Sequence, residues 1–376
     1  MNLASTADQR LFQETTRDFL AGTVPLTTVR ALGESGTGLD RDWWRRGAEL
    51  GWTAPLVPET LGGGSVSGRP LTELAGIAEE FGRACAPGPL AATSAALTGL
   101  ARAGARFAEQ IGAIVAGAAI ATWAVYEPGR GLDLSVPGCL AAPEGDGYRL
   151  TGIKDRVEYG SDADLFLVTA HSPHGPVQLL VPATAPGVRV TPTWTLDLVR
   201  TTARVEFASV AVESAAVMQH GPAAAAAARA QLQVASTLTA LEMTGATERA
   251  FDATVAWMFD RYTFGRPLAS YQALKHRMAD NKTWLEACRA TAWAAAAAWD
   301  DAVESAAEAA AVAKAYVGDR SPVIVQDCVQ LHGGIGVTWE HDLHLYLRRV
   351  TLGRALYGTP EEQYRRITEF LEQTAA

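Results

Sequence analysis

Residues 261–280 read RYTFGRPLASYQALKHRMAD, and how this stretch folds decides how the rest of the chain is read. Phe264-Gly265 predicts a turn that ends one helix, Pro267 fixes a new direction, and a second helix is expected to start near Ser270. Arg261 and Gln272 flank that corner. A guanidinium at a helix–helix corner can grip a phosphate through two parallel N–H donors. A surface salt bridge is the plainer reading of the same arginine, and on the residues alone it stands first.

Around this corner, from Gly221 onward, the chain reads as helical and rich in alanine. Ala223–Ala228 and Ala294–Ala298 have high helix propensity and small side chains, and plain helix packing accounts for them. Upstream, over residues 119–215, the period changes. Tyr148–Ile153, Leu165–Thr169, Val177–Val181, Val188–Val190 and Ala203–Phe207 are short strand-forming runs separated by Gly, Pro, Asp and Ser. They predict an antiparallel barrel or sandwich. From about residue 5 to 118 helices return. Leu11, Phe12, Phe19 and Leu20 fall near helical spacing, and Leu71, Leu74, Ile77, Ala78 and Phe81 share one face. Val57–Gly64 is loop punctuation between them, and no repeat of about 20–50 residues is visible. The order predicts an α+β chain: a helical N-terminal domain (1–118), a middle antiparallel β-domain (119–220) and a C-terminal four-helix bundle (221–376).

A second stretch, residues 330–349, reads QLHGGIGVTWEHDLHLYLRR. Gly333, Gly334 and Gly336 permit a ligand to approach the backbone closely. They are not a GxGxxG after a strand, so a Rossmann reading fails. His332, His341 and His344 invite a metal, but no carboxylate or thiol accompanies them at a known metal spacing, and none is expected.

Composition narrows the classes. With 376 residues, 48% hydrophobic and 19% charged, the chain suits two or three packed units of a soluble protein. Its 32 basic and 41 acidic residues give a net charge of −9, against nucleic-acid binding as the main task. No apolar run reaches the roughly 18 residues needed to span a membrane, and the polar N-terminus is not a secretory signal. Cys85, Cys139, Cys288 and Cys328 form no CxxC pair, so a reducing cytoplasm is expected.

Together the two quoted stretches resemble the acyl-CoA dehydrogenase family. AELGWTAPLVPETLGGG, VYEPGRGLDL and TWTLDLVRTTARVEFASVAV extend the resemblance over nearly the whole chain. It implies an FAD-dependent α,β-dehydrogenation of an acyl thioester (CoA or carrier-protein bound), with hydride passing to flavin N5 and a separate protein accepting the electrons. It also implies a homo- or hetero-oligomer with FAD held at the subunit interface. In such proteins the equivalents of Arg261, Phe264, Gln272, Gln330, Gly333 and Gly334 meet the FAD of a neighbouring subunit. Thr359 and Arg156 would meet the cofactor as well, and Tyr126 and Leu132 the substrate.

The resemblance breaks at the chemistry. The family's usual base is a glutamate nine residues after the Arg348 position; Tyr357 stands there, followed by Gly358-Thr359. The other family location for the base falls on Ala235, with Ser236 after it. Glu242, on the same helix, is expected to be a buried, paired carboxylate. A phenol of pKa about 10 is ionised about one part in a thousand at pH 7, a cost of roughly 4 kcal/mol. A neighbour such as Arg354 is expected to lower it if Tyr357 is the base. Where relatives read Thr-Glu-Pro-x-x-Gly-Ser-Asp, this chain has Tyr126-Glu127-Pro128-Gly129-Arg130-Gly131-Leu132-Asp133. Where they carry a tryptophan over the flavin ring, it has Arg156, which can stack on an aromatic ring with less apolar cover. Residues expected to touch a neighbour's cofactor survive; those around the chain's own flavin ring have changed. Two roles follow: a dehydrogenase with an unusual proton acceptor, or a partner subunit that completes the FAD site of another chain. A flavoprotein with altered chemistry is a third, resting only on the missing base.

Overall fold

The apolar stripes at the start of the chain fold as helices that bury them. In the computed structural model, which describes residues 6–36, 38–134 and 137–375, the N-terminal helical domain contains α1 (Ala7–Thr23), α2 (Leu26–Ser35), α3 (Arg41–Glu49), α4 (Pro70–Ala84), α5 (Leu90–Ala103) and α6 (Ala108–Val115). Thr6 and Gln9 close the N-terminus of α1 as a reciprocal capping box. Trp43, Trp52, Phe19 and Phe81 cluster, with Trp52 edge to face against Phe19 and against Phe81, the latter ring centroids 4.8 Å apart.

The middle β-domain comprises β1 (Ala121–Ala124), β2 (Leu140–Glu144), β3 (Gly147–Glu158), β4 (Leu165–Ser172), β5 (Gly175–Pro182), β6 (Val188–Thr193), β7 (Thr202–Val212) and β8 (Val217–His220). They form one sheet in the order β6-β7-β3-β2-β4-β5-β8, with β1 beside β4. The expected antiparallel pattern needs correction at one place: β1 runs parallel to β4, and β2 touches β4 in parallel at Leu140 and His171. Bulges break the β3–β7 register between Leu150 and Gly152 and between Lys154 and Val157. The second lifts Arg156 into the left-handed region, at φ 48°.

The C-terminal helical region begins with α7 (Gly221–Asp260), about 60 Å long at the usual rise. It crosses α4 so closely that a Cβ on Gly82 would lie 1.8 Å from the Glu242 carbonyl oxygen, and one on Gly245 2.0 Å from that of Glu79. Only glycine fits at either point. The next helix boundary differs from expectation. α7 stops at Asp260, and Phe264-Gly265 is instead the tip of a two-residue hairpin joining β9 (Tyr262–Thr263) to β10 (Arg266–Pro267). Both tip residues have positive φ, 52° and 79°, as the tightest hairpin turn requires. A short 3₁₀ turn over Leu268–Ser270 leads into α8 (Gln272–Asp300), followed by α9 (Ala306–His332), α10 (Leu343–Ala355) and α11 (Pro360–Ala375). Among the described residues no helix is long and apolar enough to cross a membrane.

Candidate functional site

The residues singled out by sequence fall into two groups that face different surroundings. The first lies on the surface. Arg261 follows the last turn of α7, Phe264 is 94% exposed at the hairpin tip, Gln272 opens α8, and Gln330 lies exposed in the last turn of α9. Gly333, at φ 66°, and Gly334 form the exposed 3₁₀ turn after α9, and nothing lies within 4 Å of where a Cβ would stand on either. Trp257, one turn before Arg261, stacks on His332 with ring centroids 5.0 Å apart, so the two motifs lie side by side. Bare backbone, an exposed cation and an exposed aromatic tip suit a flat anionic ligand pressed between this face and another surface.

The second group lies inside. Tyr357, at φ 52°, is 2% exposed. Its ring faces that of Trp123 at 6.4 Å with an interplanar angle of 6°, and that of Tyr126 at 6.3 Å. Its backbone N–H donates to the Tyr126 hydroxyl. Burial pushes the Tyr357 phenol well above its ordinary pKa, and the Glu158 carboxylate beside it pushes further. Arg354 does not act on it as expected: that guanidinium turns to Glu361 at 2.7 Å and Asp319 at 3.9 Å. The other residues of this group are also engaged within the chain. Arg156 lies 4.4 Å over the Tyr126 ring and donates to the carbonyls of Glu127 and Arg130. Glu362 accepts from Leu132 N–H at 2.9 Å and Thr359 N–H at 2.8 Å, the second closing a capping box on α11. A flavin ring does not fit this inner position as the chain has built it: the Leu132 and Thr359 N–H groups already donate to Glu362, and Arg156 donates to the Glu127 and Arg130 carbonyls.

Sequence reading missed what stands behind Tyr357. Glu158, Arg200, Glu242, Arg349 and Asp197 form a buried ladder of alternating charge. Arg200 bridges Glu158 and Glu242; Arg349 bridges Glu242 at 2.6 Å and Asp197, and donates to the carbonyls of Cys85 and Ala86. Burial alone would raise the Asp197 carboxyl, yet the Arg349 guanidinium holds it below the usual range. Glu242 is thus buried and paired, as expected. Ala235 is buried, and Ser236, also buried, spends its hydroxyl on the Gln233 carbonyl. The available signals were Asp197 and Arg200, inside the quoted TWTLDLVRTTARVEFASVAV stretch, and Arg349, the last residue of the quoted 330–349 stretch.

Lys314 of α9 fastens the same loop from below, its buried Nζ donating to the carbonyls of Arg354 at 3.1 Å and Gly358 at 2.7 Å. Burial, with Arg354 adding to it, pushes this ammonium down to about 7. An unfolded lysine titrates near 10.4, so between those values the unfolded chain holds the extra proton. Folding stability therefore rises with pH across that window, by at most about 1.4 kcal/mol per unit. Lys314→Met is expected to flatten the rise. Denaturation at about pH 7 and about pH 9 checks it; a rise equally steep in the variant would assign it to another group.

Comparison with known proteins agrees with the fold. Residues 6–117 match the profile of the acyl-CoA dehydrogenase N-terminal domain and residues 224–372 that of the C-terminal domain. The chain is 31% identical to the acyl-CoA dehydrogenase IpdE2 of Mycolicibacterium smegmatis, over 96% of this chain and 97% of that one. Among solved structures it is similar to a Tcur3481–Tcur3483 steroid ACAD variant (31% identity, 98% of each chain, TM-score 0.88). It is similar also to the ChsE4–ChsE5 complex of Mycobacterium tuberculosis (28% identity, 100% of each chain, TM-score 0.88). The chain therefore belongs to the acyl-CoA dehydrogenase family, whose members depend on FAD.

Proposed function

We propose that this chain is the partner subunit of an acyl-CoA dehydrogenase assembly. In this reading Arg261, Phe264, Gln272, Gln330, Gly333 and Gly334 complete the FAD site of a neighbouring chain, and that neighbour supplies the carboxylate base. The observation that carries this is the contrast between the two groups: the outward residues are exposed, while Tyr357 is buried beside Glu158 with its phenol held protonated. The process served is α,β-dehydrogenation of an acyl thioester, for which bound FAD supplies the hydride acceptor and a further protein takes the electrons. This chain's own part is to bind, to orient and to shield the cofactor. Two similar structures, the Tcur3481–Tcur3483 steroid ACAD and the ChsE4–ChsE5 complex, support a two-chain assembly. Four buried free thiols fit a reducing compartment such as the cytoplasm.

Expressed alone, the chain is expected to hold little flavin. Co-expressed with a glutamate-bearing acyl-CoA dehydrogenase chain, it is expected to form a stoichiometric yellow complex. In that complex Tyr357→Phe is expected to leave flavin reduction by acyl-CoA unchanged, because a phenol with a raised pKa gives no base near pH 7. A fully flavinated, active homo-oligomer, or a large loss of flavin reduction in the phenylalanine variant, would return the chemistry to this chain.

A further inference from the structure

We infer that Trp257 and His332 are positioning residues for Arg261: a column of stacked neutral rings beneath the guanidinium fixes where its donors point, and so sets how firmly an assembly holds the phosphates of FAD. The inference rests on the partner-subunit reading above.

Arg261 differs from the arginines that are tied to carboxylates. Arg83, Arg289 and Arg349 each meet two or more carboxylates. Among the described residues none lies within ion-pair reach of Arg261. Its Cζ lies instead 5.9 Å from the centre of the Trp257 ring, within the range in which an aromatic face attracts a cation. Trp257 stacks on His332 at 5.0 Å and 14°, and His332 meets His341 at 4.7 Å and 59°. The column thus runs from the end of α7 to the end of α9 and onto the turn before α10.

Two details say what the column is for. Buried indole N–H groups ordinarily find an acceptor. The Nε1 of Trp257 is buried and, among the described residues, has none. The indole is therefore held for its faces and not for its N–H. Burial pushes the pKa of the imidazole below it under the ordinary histidine value, which favours the neutral ring. His332 Nδ1 lies 2.9 Å from the Cys328 carbonyl, which only accepts, so Nδ1 carries the proton and donates. His341 Nδ1 in turn accepts from Leu343 N–H at 3.3 Å. Neutral rings present π faces to the guanidinium where an imidazolium would repel it. The buried ring of His332 also immediately precedes Gly333, so the element that orients the cation anchors the bare-backbone turn.

The test uses the full chain in the complex formed by co-expression. Assembly is read by sedimentation, and FAD affinity by flavin fluorescence after removal and re-addition of FAD. Trp257→Leu is expected to assemble normally and to bind FAD about fivefold more weakly, the worth of one cation–ring contact. Trp257→Phe keeps the ring, loses only the unused N–H, and is expected to match the parent chain. A leucine variant with parental affinity, or a phenylalanine variant as weak as leucine, would overturn the inference. Trp257→Gln replaces leucine, with the same two outcomes, if leucine blocks assembly. Failure of the parent chain to assemble or to take up FAD would instead sink the partner-subunit reading itself.

Discussion

Replacing Arg349 with methionine is expected to remove about 3–5 kcal/mol of folding stability, the usual cost of breaking a buried ion pair from one side. Arg349 is 1% exposed and is the one cation of the ladder that reaches three parts of the molecule at once. It holds Asp197 before β7, Glu242 in α7, and the carbonyls of Cys85 and Ala86 after α4. Without it, Glu158, Glu242 and Asp197 share only Arg200 in a buried setting. The thermal midpoint is expected to fall by roughly 4–6 °C at near-neutral pH, given the size of the chain. The exposed Lys282–Glu286 pair supplies the comparison: Lys282→Met is expected to change stability by less than about 0.5 kcal/mol. Similar midpoints for the two variants would show that the ladder does not hold the units together.

Arg261→Ala is expected to do the reverse. The side chain is exposed and makes no ion pair among the described residues, so the midpoint of the isolated chain should move by less than about 2 °C. FAD retention by the co-expressed complex is expected to fall roughly ten- to hundredfold, the value of hydrogen bonds to a charged group at about 1.5–3 kcal/mol. Equilibrium dialysis of the complex against FAD-free buffer measures it. Retention equal to the parent's would remove Arg261 from the cofactor site.

The outer group was legible because it is carried by contiguous residues. Arg261 to Gln272 occupies a single corner, and Gln330 to Gly334 a single turn. Even there the corner was read one element short, because Tyr262-Thr263 and Arg266-Pro267 are too few residues to show strand alternation. β1 was missed for a related reason: Ala-Thr-Trp-Ala is buried on both faces and shows no period of two. β8 is four residues long and leaves the core at His220, and β2 carries Pro143 and exposes four of its five residues. The inner group was legible only as a set of departures. That Tyr357 is surrounded by Trp123, Tyr126 and Glu158 depends on residues more than 190 positions earlier in the chain. The ladder joins residues of four separate segments, with bonded partners 42 to 152 positions apart. Arg354 was misjudged because adjacency in sequence does not say which way a helix-end side chain turns, and Glu361 drew it outward.

The hairpin tip has a consequence beyond the cofactor. Phe264 at 94% exposure, beside Tyr262 at 63% and Phe259 at 65%, leaves an aromatic cluster in water. Such a patch is tolerable only while something covers it. Copies made in excess of their companion would carry it uncovered and be drawn into aggregates or proteolysis. The persistence of this chain in a cell would then follow the supply of the companion, and balanced production of the two would be under selection for solubility as well as for turnover.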